Sequence, residues 1–176
     1  MKHQWRPMVA ADLPEVMAMA AVVHAGYFEE EQVFAERLAL FAAGCWIAER
    51  TDGALPPQPV GYAVMHPARL GYPPSLNSLL HTLDDHADCL YLHDVALLAD
   101  ARGAGLGHAL LAILREQMRH SGLTQAALVA VHSSRPYWEA AGFAVLQQMP
   151  AALSEKLASY DRQAVYMVMT STDAIG

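Results

Sequence analysis

Residues 88–107, Asp-Cys-Leu-Tyr-Leu-His-Asp-Val-Ala-Leu-Leu-Ala-Asp-Ala-Arg-Gly-Ala-Gly-Leu-Gly, constrain the fold more than any other stretch. Between Leu90 and Leu98 every residue except His93 and Asp94 is apolar or aromatic. A run of that length, with Tyr and Val in it, predicts a strand buried on both faces. Arg102-Gly103-Ala104-Gly105-Leu106-Gly107 follows, and Leu106, Leu110, Ile113, Leu114 and Met118 then recur at helical spacing. Alternating glycines at a helix start let the backbone approach a ligand and leave N–H groups free at the positive end of the helix dipole, which suits phosphate. A P-loop would need Lys and then Ser or Thr after its last glycine, where His108 and Ala109 stand. The dinucleotide fingerprint would need a glycine at His108. What remains is Arg-x-x-Gly-x-Gly on a strand-to-helix turn.

That signature, with Gly142-Phe143 downstream, resembles the GCN5-related N-acetyltransferases. The resemblance runs from about residue 5 to residue 143 and is strongest over 91–143. It implies that Arg102, Gly103, Ala104, Gly105, Leu106 and Gly107 hold the pyrophosphate of acetyl-CoA. It also implies that backbone groups of Val95, Ala96 and Leu97 hold the pantetheine arm, between two strands that splay into a V. Ser133 stands where the family often has an Asn on that arm. Trp138 stands where it often has a tyrosine near the sulfur. The segment 92–97 resembles the strand of serotonin N-acetyltransferases, in which a histidine nine places before the signature arginine helps move a proton through water; His93 has that spacing from Arg102.

A length of 176 residues suggests one domain, 1–176, large enough for a sizeable core. With 54% hydrophobic and 16% charged residues the chain is not of disordered composition. A net charge of −7 and the lack of a basic run argue against nucleic acid as a partner and mildly favour cationic amines. No stretch reads as a signal peptide or a membrane span. Cys45 and Cys89 form no zinc spacing, so no metal is expected, and a reduced cytoplasm is the simplest setting.

The remaining pattern predicts a strand at 4–8 and a helix from 10 to 26 with Asp12 as N-cap. A second helix is predicted over 29–43 with Val33, Leu38 and Phe41 inward, then a hairpin of strands 45–50 and 60–66 around a turn at 51–59. The acidic run Glu29-Glu30-Glu31 reads as an ordinary helix entry that suits the helix dipole. Residues 67–87, with a short helical stretch at 76–83, form a long insertion between strands. It is either a lid or wall of an acceptor site or a homodimer contact. Beyond the glycine turn the pattern predicts a strand at 124–132, a helix at 133–141, a strand at 143–148, a link at 150–161 and a last strand at 163–169. The fold class is α/β (α+β): a mixed, mostly antiparallel sheet with helices on both faces and one βαβ crossover at the glycine turn.

Acetyl transfer to an amine needs a base for the amine proton, donors for the thioester oxygen, and a proton for the leaving sulfur. His93 is the first candidate base. Strand alternation puts it on one face with Tyr91, Val95 and Leu97, and Asp94 on the other. His66, ending the neighbouring strand, is the second. Trp138 cannot donate to sulfur as a phenol does, which leaves the adjacent Tyr137 or water as the acid. The expected activity is acetyl-CoA-dependent transfer, by direct attack, to a primary amine of a small molecule or a peptide or protein N-terminus. The alternatives are a CoA-binding sensor or interaction module without turnover, or an acyltransferase for a longer acyl group or a hydroxyl.

Overall fold

The computed structural model describes residues 2–53, 56–131 and 133–172. Seven strands form one sheet: β1 (His3–Pro7), β2 (Cys45–Arg50), β3 (Gln58–Ala68), β4 (Cys89–Leu97), β5 (Gln125–Ala130), β6 (Ala144–Val145) and β7 (Val165–Thr170), in the order β1-β2-β3-β4-β5-β7-β6. All neighbours are antiparallel except β4 and β5, the parallel pair joined through helix α3 (Leu106–His120). The expected fold class is therefore observed.

Two layers cover the sheet. Leu110, Leu114 and Met118 of α3 pack on one face with Leu90, Leu92, Ala126 and Leu128. The other face carries α1 (Leu13–Val23) and α2 (Glu31–Leu40), whose Val16, Met19 and Phe34 meet Ile47, Tyr62, Val64 and Ala96. Helix α5 (Ala151–Tyr160) adds Leu153 and Leu157 over Tyr91 and Tyr166. Helix α4 (Arg135–Ala140) follows β5.

Several expectations are corrected in detail. Asp12 stands at the N-cap of α1 as expected, but its carboxylate accepts no N–H of that helix: it turns back to accept the Val9 N–H at 2.8 Å and a two-pronged hydrogen bond from Arg6 at 2.7 and 2.8 Å. Helix α2 is shorter than 29–43, and it buries Arg37 fully while Leu38, half-buried, packs on the α1–α2 side of the core. Residues 76–83 are not helical. Asn77 and His81 take left-handed φ values of +54° and +64°, which break any helical run. The strand expected at 143–148 shrinks to two residues; the Leu146 N–H still reaches the Tyr166 carbonyl of β7 at 3.0 Å, and the chain bends away at 147–148. Of the expected turn at 51–59, Ala54 and Leu55 lie outside the described residues, as does His132 at the expected end of β5. No helix among the described residues is long and apolar enough to cross a membrane.

Candidate active site

The site begins where two strands part. Among the described residues β5 pairs with β4 only at Leu90–Ala126 and Tyr91–Ala127, and from Leu92 onward the β5-facing edge of β4 has no strand partner. A cleft of about 600 Å³ opens there. Tyr91 to Val95 and Leu97 line it from β4, and Leu128, Val129 and Val131 from the β5 side.

Past β4, Gly103 and Gly105 take left-handed φ values of +79° and +81°, and a Cβ at either position would meet nothing within 4 Å. This backbone belongs to glycine, and the space above it is open to a ligand. Gly105 is the residue before α3, so the first N–H groups of the helix have no intrahelical partner. The Leu106 carbonyl accepts the indole N–H of Trp5 at 2.9 Å, which ties the helix start to β1. Arg102 is exposed at the cleft edge, its Nε donating to the Leu97 carbonyl at 3.4 Å. The turn is thus built to receive an anion, and its open space fits the pyrophosphate of a CoA thioester.

On β4 itself the structure overturns simple alternation. Met65 pairs with Leu92 and Val64 with Asp94, so His93 is an extra residue in a β-bulge. Leu90, Leu92 and Val95 face α3, whereas Tyr91 and Ala96 face the α1–α2–α5 side. His93 shares the face of Tyr91, not that of Val95 and Leu97, and Asp94 joins it there instead of lying opposite. Val95 and Leu97 line the cleft; Ala96 is buried under α1 and does not.

Both bulge residues meet the α1–α2 connection. His93 Nε2 lies 2.8 Å from Glu29 Oε1, with the two side chains 3% and 5% exposed. His93 Nδ1 is buried and has no partner among the described residues. Glu29 Oε2 accepts the Asn77 N–H at 3.0 Å, so one carboxylate fixes both the histidine and the insertion. Asp94 accepts from the Tyr62 hydroxyl at 2.6 Å and pairs with His24 Nε2 at 2.9 Å. Burial opposes ionisation of Asp94, yet the His24 hydrogen bond and charge outweigh it and hold the carboxyl below its usual value. Burial likewise opposes charge on His24, but Asp94 raises its pKa. The Glu29 and His24 contacts were not foreseen from the sequence; the acidic run had an adequate local explanation.

His66 is placed differently from the expectation. It is 1% exposed, does not line the cleft, and bonds the Pro67 carbonyl through Nδ1 at 2.8 Å. Burial, then the neighbouring His93, push its pKa down to about 3. A ring so weakly basic is a poor proton acceptor at neutral pH. Arg37, wholly buried nearby, reaches Glu36 at 2.7 Å and the Ser78 carbonyl at 3.0 Å.

Tyr137 and Trp138 both line the cleft. The Trp138 ring packs edge-on against Phe143, with 5.6 Å between centroids. The Tyr137 ring, half exposed, lays its hydroxyl against Gly107, where a Cβ would collide with it. Burial raises the phenol's pKa, which keeps it a donor at neutral pH. Ser133 is exposed at φ +59° and is not on the cleft; Ser134, one residue on, is.

The insertion, residues 69–88 between β3 and β4, is tied down near its start and in its middle. Leu80 and His81 N–H groups donate to Glu36 at 2.6 and 2.9 Å, and the Gly71 N–H to Tyr166 at 2.9 Å. Its Leu76 lines the cleft.

Similar folds are known. The loading GNATL domain of CurA from Lyngbya majuscula superposes with a TM-score of 0.75 at 14% identity, over 97% of this chain and 98% of that one. A chain of the NatC complex bound to Gag peptide and CoA gives 0.71 at 16% identity, over 98% of this chain and 100% of that one. N-acetylglutamate synthase from Neisseria gonorrhoeae, complexed with coenzyme A and N-acetyl-glutamate, gives 0.68 at 16% identity, over 97% of this chain and 35% of that one. No curated protein sequence matches this chain. The sequence model described as the acetyltransferase (GNAT) family matches residues 11–143, about three quarters of the molecule. With that match the chain belongs to the GNAT family of acetyltransferases.

Proposed function

We propose that the protein is an acetyl-CoA-dependent N-acetyltransferase that acts on a primary amine, of a small molecule or a peptide terminus, by direct attack on the thioester. The observation that carries this reading is the Glu29–His93 pair beside the opening between β4 and β5, with His93 Nδ1 buried and without a partner among the described residues. If Nε2–H donates to Glu29, Nδ1 holds the lone pair. The carboxylate then orients the ring and stabilises the imidazolium formed as the amine loses its proton.

The other residues have roles that follow from position. N–H groups of residues 103–107 hold the pyrophosphate, with Arg102 beside them. The unpaired edge of β4 near Val95 and Leu97 takes the pantetheine arm. The amine nitrogen forms the new C–N bond as the C–S bond breaks, His93 Nδ1 takes the amine proton, and the Tyr137 phenol supplies one to the leaving sulfur. Similar folds bound to CoA with a peptide, or with N-acetyl-glutamate, support an amine acceptor.

A second reading, a CoA-binding module without turnover, draws on Trp138, which packs against Phe143 at the place the resembled tyrosine would fill. Release of free CoA from acetyl-CoA with a panel of amines separates the two. Tight acetyl-CoA binding with no release for any acceptor would favour the module. Gly105→Glu puts a carboxylate where the phosphates would lie, and unchanged acetyl-CoA affinity by calorimetry in that variant would remove the cofactor assignment.

A further inference from the structure

Three segments meet around the part of the cleft that holds Glu29: the α1–α2 connection, the insertion and the end of α5. The Glu30 N–H donates to Asn77 at 2.8 Å, joining the first to the second. Tyr160 and Lys156 donate to the Pro74 and Pro73 carbonyls at 2.7 and 3.0 Å, joining the second to the third. The Tyr27 hydroxyl donates to Asp161 at 2.5 Å, joining the third back to the first. These three junctions, four hydrogen bonds in all, close a ring.

We infer that the acceptor is a compact primary amine with an apolar body and no carboxylate, and that this ring shuts out extended peptide chains. The inference rests on the proposed acetyltransfer and narrows its acceptor. Space argues for it first. The whole cleft, about 600 Å³, is mid-range for a single small ligand of about 300–1,000 Å³, and here the acyl arm of the cosubstrate shares it. Polarity argues next. Val23, Leu76 and the rings of Tyr27 and Tyr160 line the cleft, and its acidic lining among the described residues is Glu29 and Asp94, already held by His93 and His24. Among the described residues the only Lys or Arg on the cleft is Arg102, at the glycine turn. His24 is turned to Asp94, and Lys156 to Pro73. A carboxylate on the acceptor would lie near Glu29, whose cationic neighbour Arg37 is wholly buried and does not line the cleft, so like charge disfavours an acid there.

The test uses phenethylamine, phenylalaninamide, phenylalanine and a Phe-Ala-Ala-Ala peptide, with calorimetric binding to the protein–CoA complex beside initial rates with acetyl-CoA. Phenethylamine should bind and react best, phenylalanine roughly 10²-fold worse in both readouts, and phenylalaninamide nearer the amine than the acid. The peptide should be about as poor as phenylalanine, and Tyr27→Phe, which opens the ring, should improve the peptide at least about tenfold relative to phenethylamine. Phenylalanine or the peptide matching phenethylamine in the native protein would overturn the inference, as would phenylalaninamide binding as poorly as phenylalanine. Acetyl-CoA binding, measured separately, distinguishes the two failures. If acetyl-CoA does not bind, the proposed activity fails; if it binds and the acceptor order is wrong, only the acceptor class does.

Discussion

His66 offers a prediction whose size follows from a ring that the folded chain holds neutral. The ring is 1% exposed, gives one hydrogen bond to the Pro67 carbonyl, and has a pKa pushed down to about 3 by burial and by His93. In the unfolded chain a histidine titrates near 6.5. The folded value lies below the unfolded one, so the stabilising contribution is complete above about pH 6.5. It is lost as pH falls toward 3, because the unfolded chain takes up a proton that the native ring refuses. Between pH 7.5 and pH 5.0 that single proton costs about 2 kcal/mol, a figure set by the unfolded value as long as the native ring stays neutral at pH 5. His66→Asn keeps a donor for the Pro67 carbonyl while removing the titration. Urea unfolding of both proteins at the two pH values is the assay. The native chain should lose about 2 kcal/mol more than the variant, a midpoint difference on the order of 1 M urea. Any constant penalty for the smaller side chain cancels in that difference. Equal losses in the two proteins would refute the claim that the folded chain holds this histidine neutral.

The site offers further tests. His93→Ala and His93→Gln should each lower kcat/KM by about 10²–10⁴ while acetyl-CoA affinity holds; full activity in the Gln variant, with an unmoved acidic limb in the pH profile, would make His93 structural. Glu29→Gln should cost roughly tenfold or more in kcat and speed amide exchange at Asn77, since one carboxylate serves both; loss of only one of these effects would separate the two roles. Tyr137→Phe should lower kcat by on the order of 10² if the phenol protonates the leaving sulfur, with acetyl-CoA binding retained. Shortening residues 76–83 should raise KM for the amine more than for acetyl-CoA. An intact amine KM with an altered oligomeric state would make the insertion an interface.

The layout of strands and helices was legible because it depends on local signals: the apolar run of β4, the glycines before α3, the Pro and Gly stops elsewhere. The bulge at His93 was not. It is a property of two strands in register, and nothing within residues 89–97 announces that β3 will offer one residue fewer. Alternation therefore put His93 on the face of Val95 and sent Asp94 to the other. Glu29 was hidden for a different reason: an acidic first turn is favourable in its own right, so its contact with a residue 64 positions away leaves no trace in the local pattern. The burial of Arg37 depends on the insertion, 41 positions away, where Ser78 supplies a carbonyl. His66 looked reactive by residue type, and only its burial shows otherwise.

The bulge has a dynamic consequence. By turning two consecutive side chains to one side, β4 grips the α1–α2 connection at two points five residues apart, His24 through Asp94 and Glu29 through His93. A loop held at one point can swing about it. A loop held at two points on one strand has to give up both contacts before it can swing clear, and giving up either one strands a buried polar group without the partner that offsets its burial. Exposing the region around Glu29 therefore means breaking two buried pairs, not one.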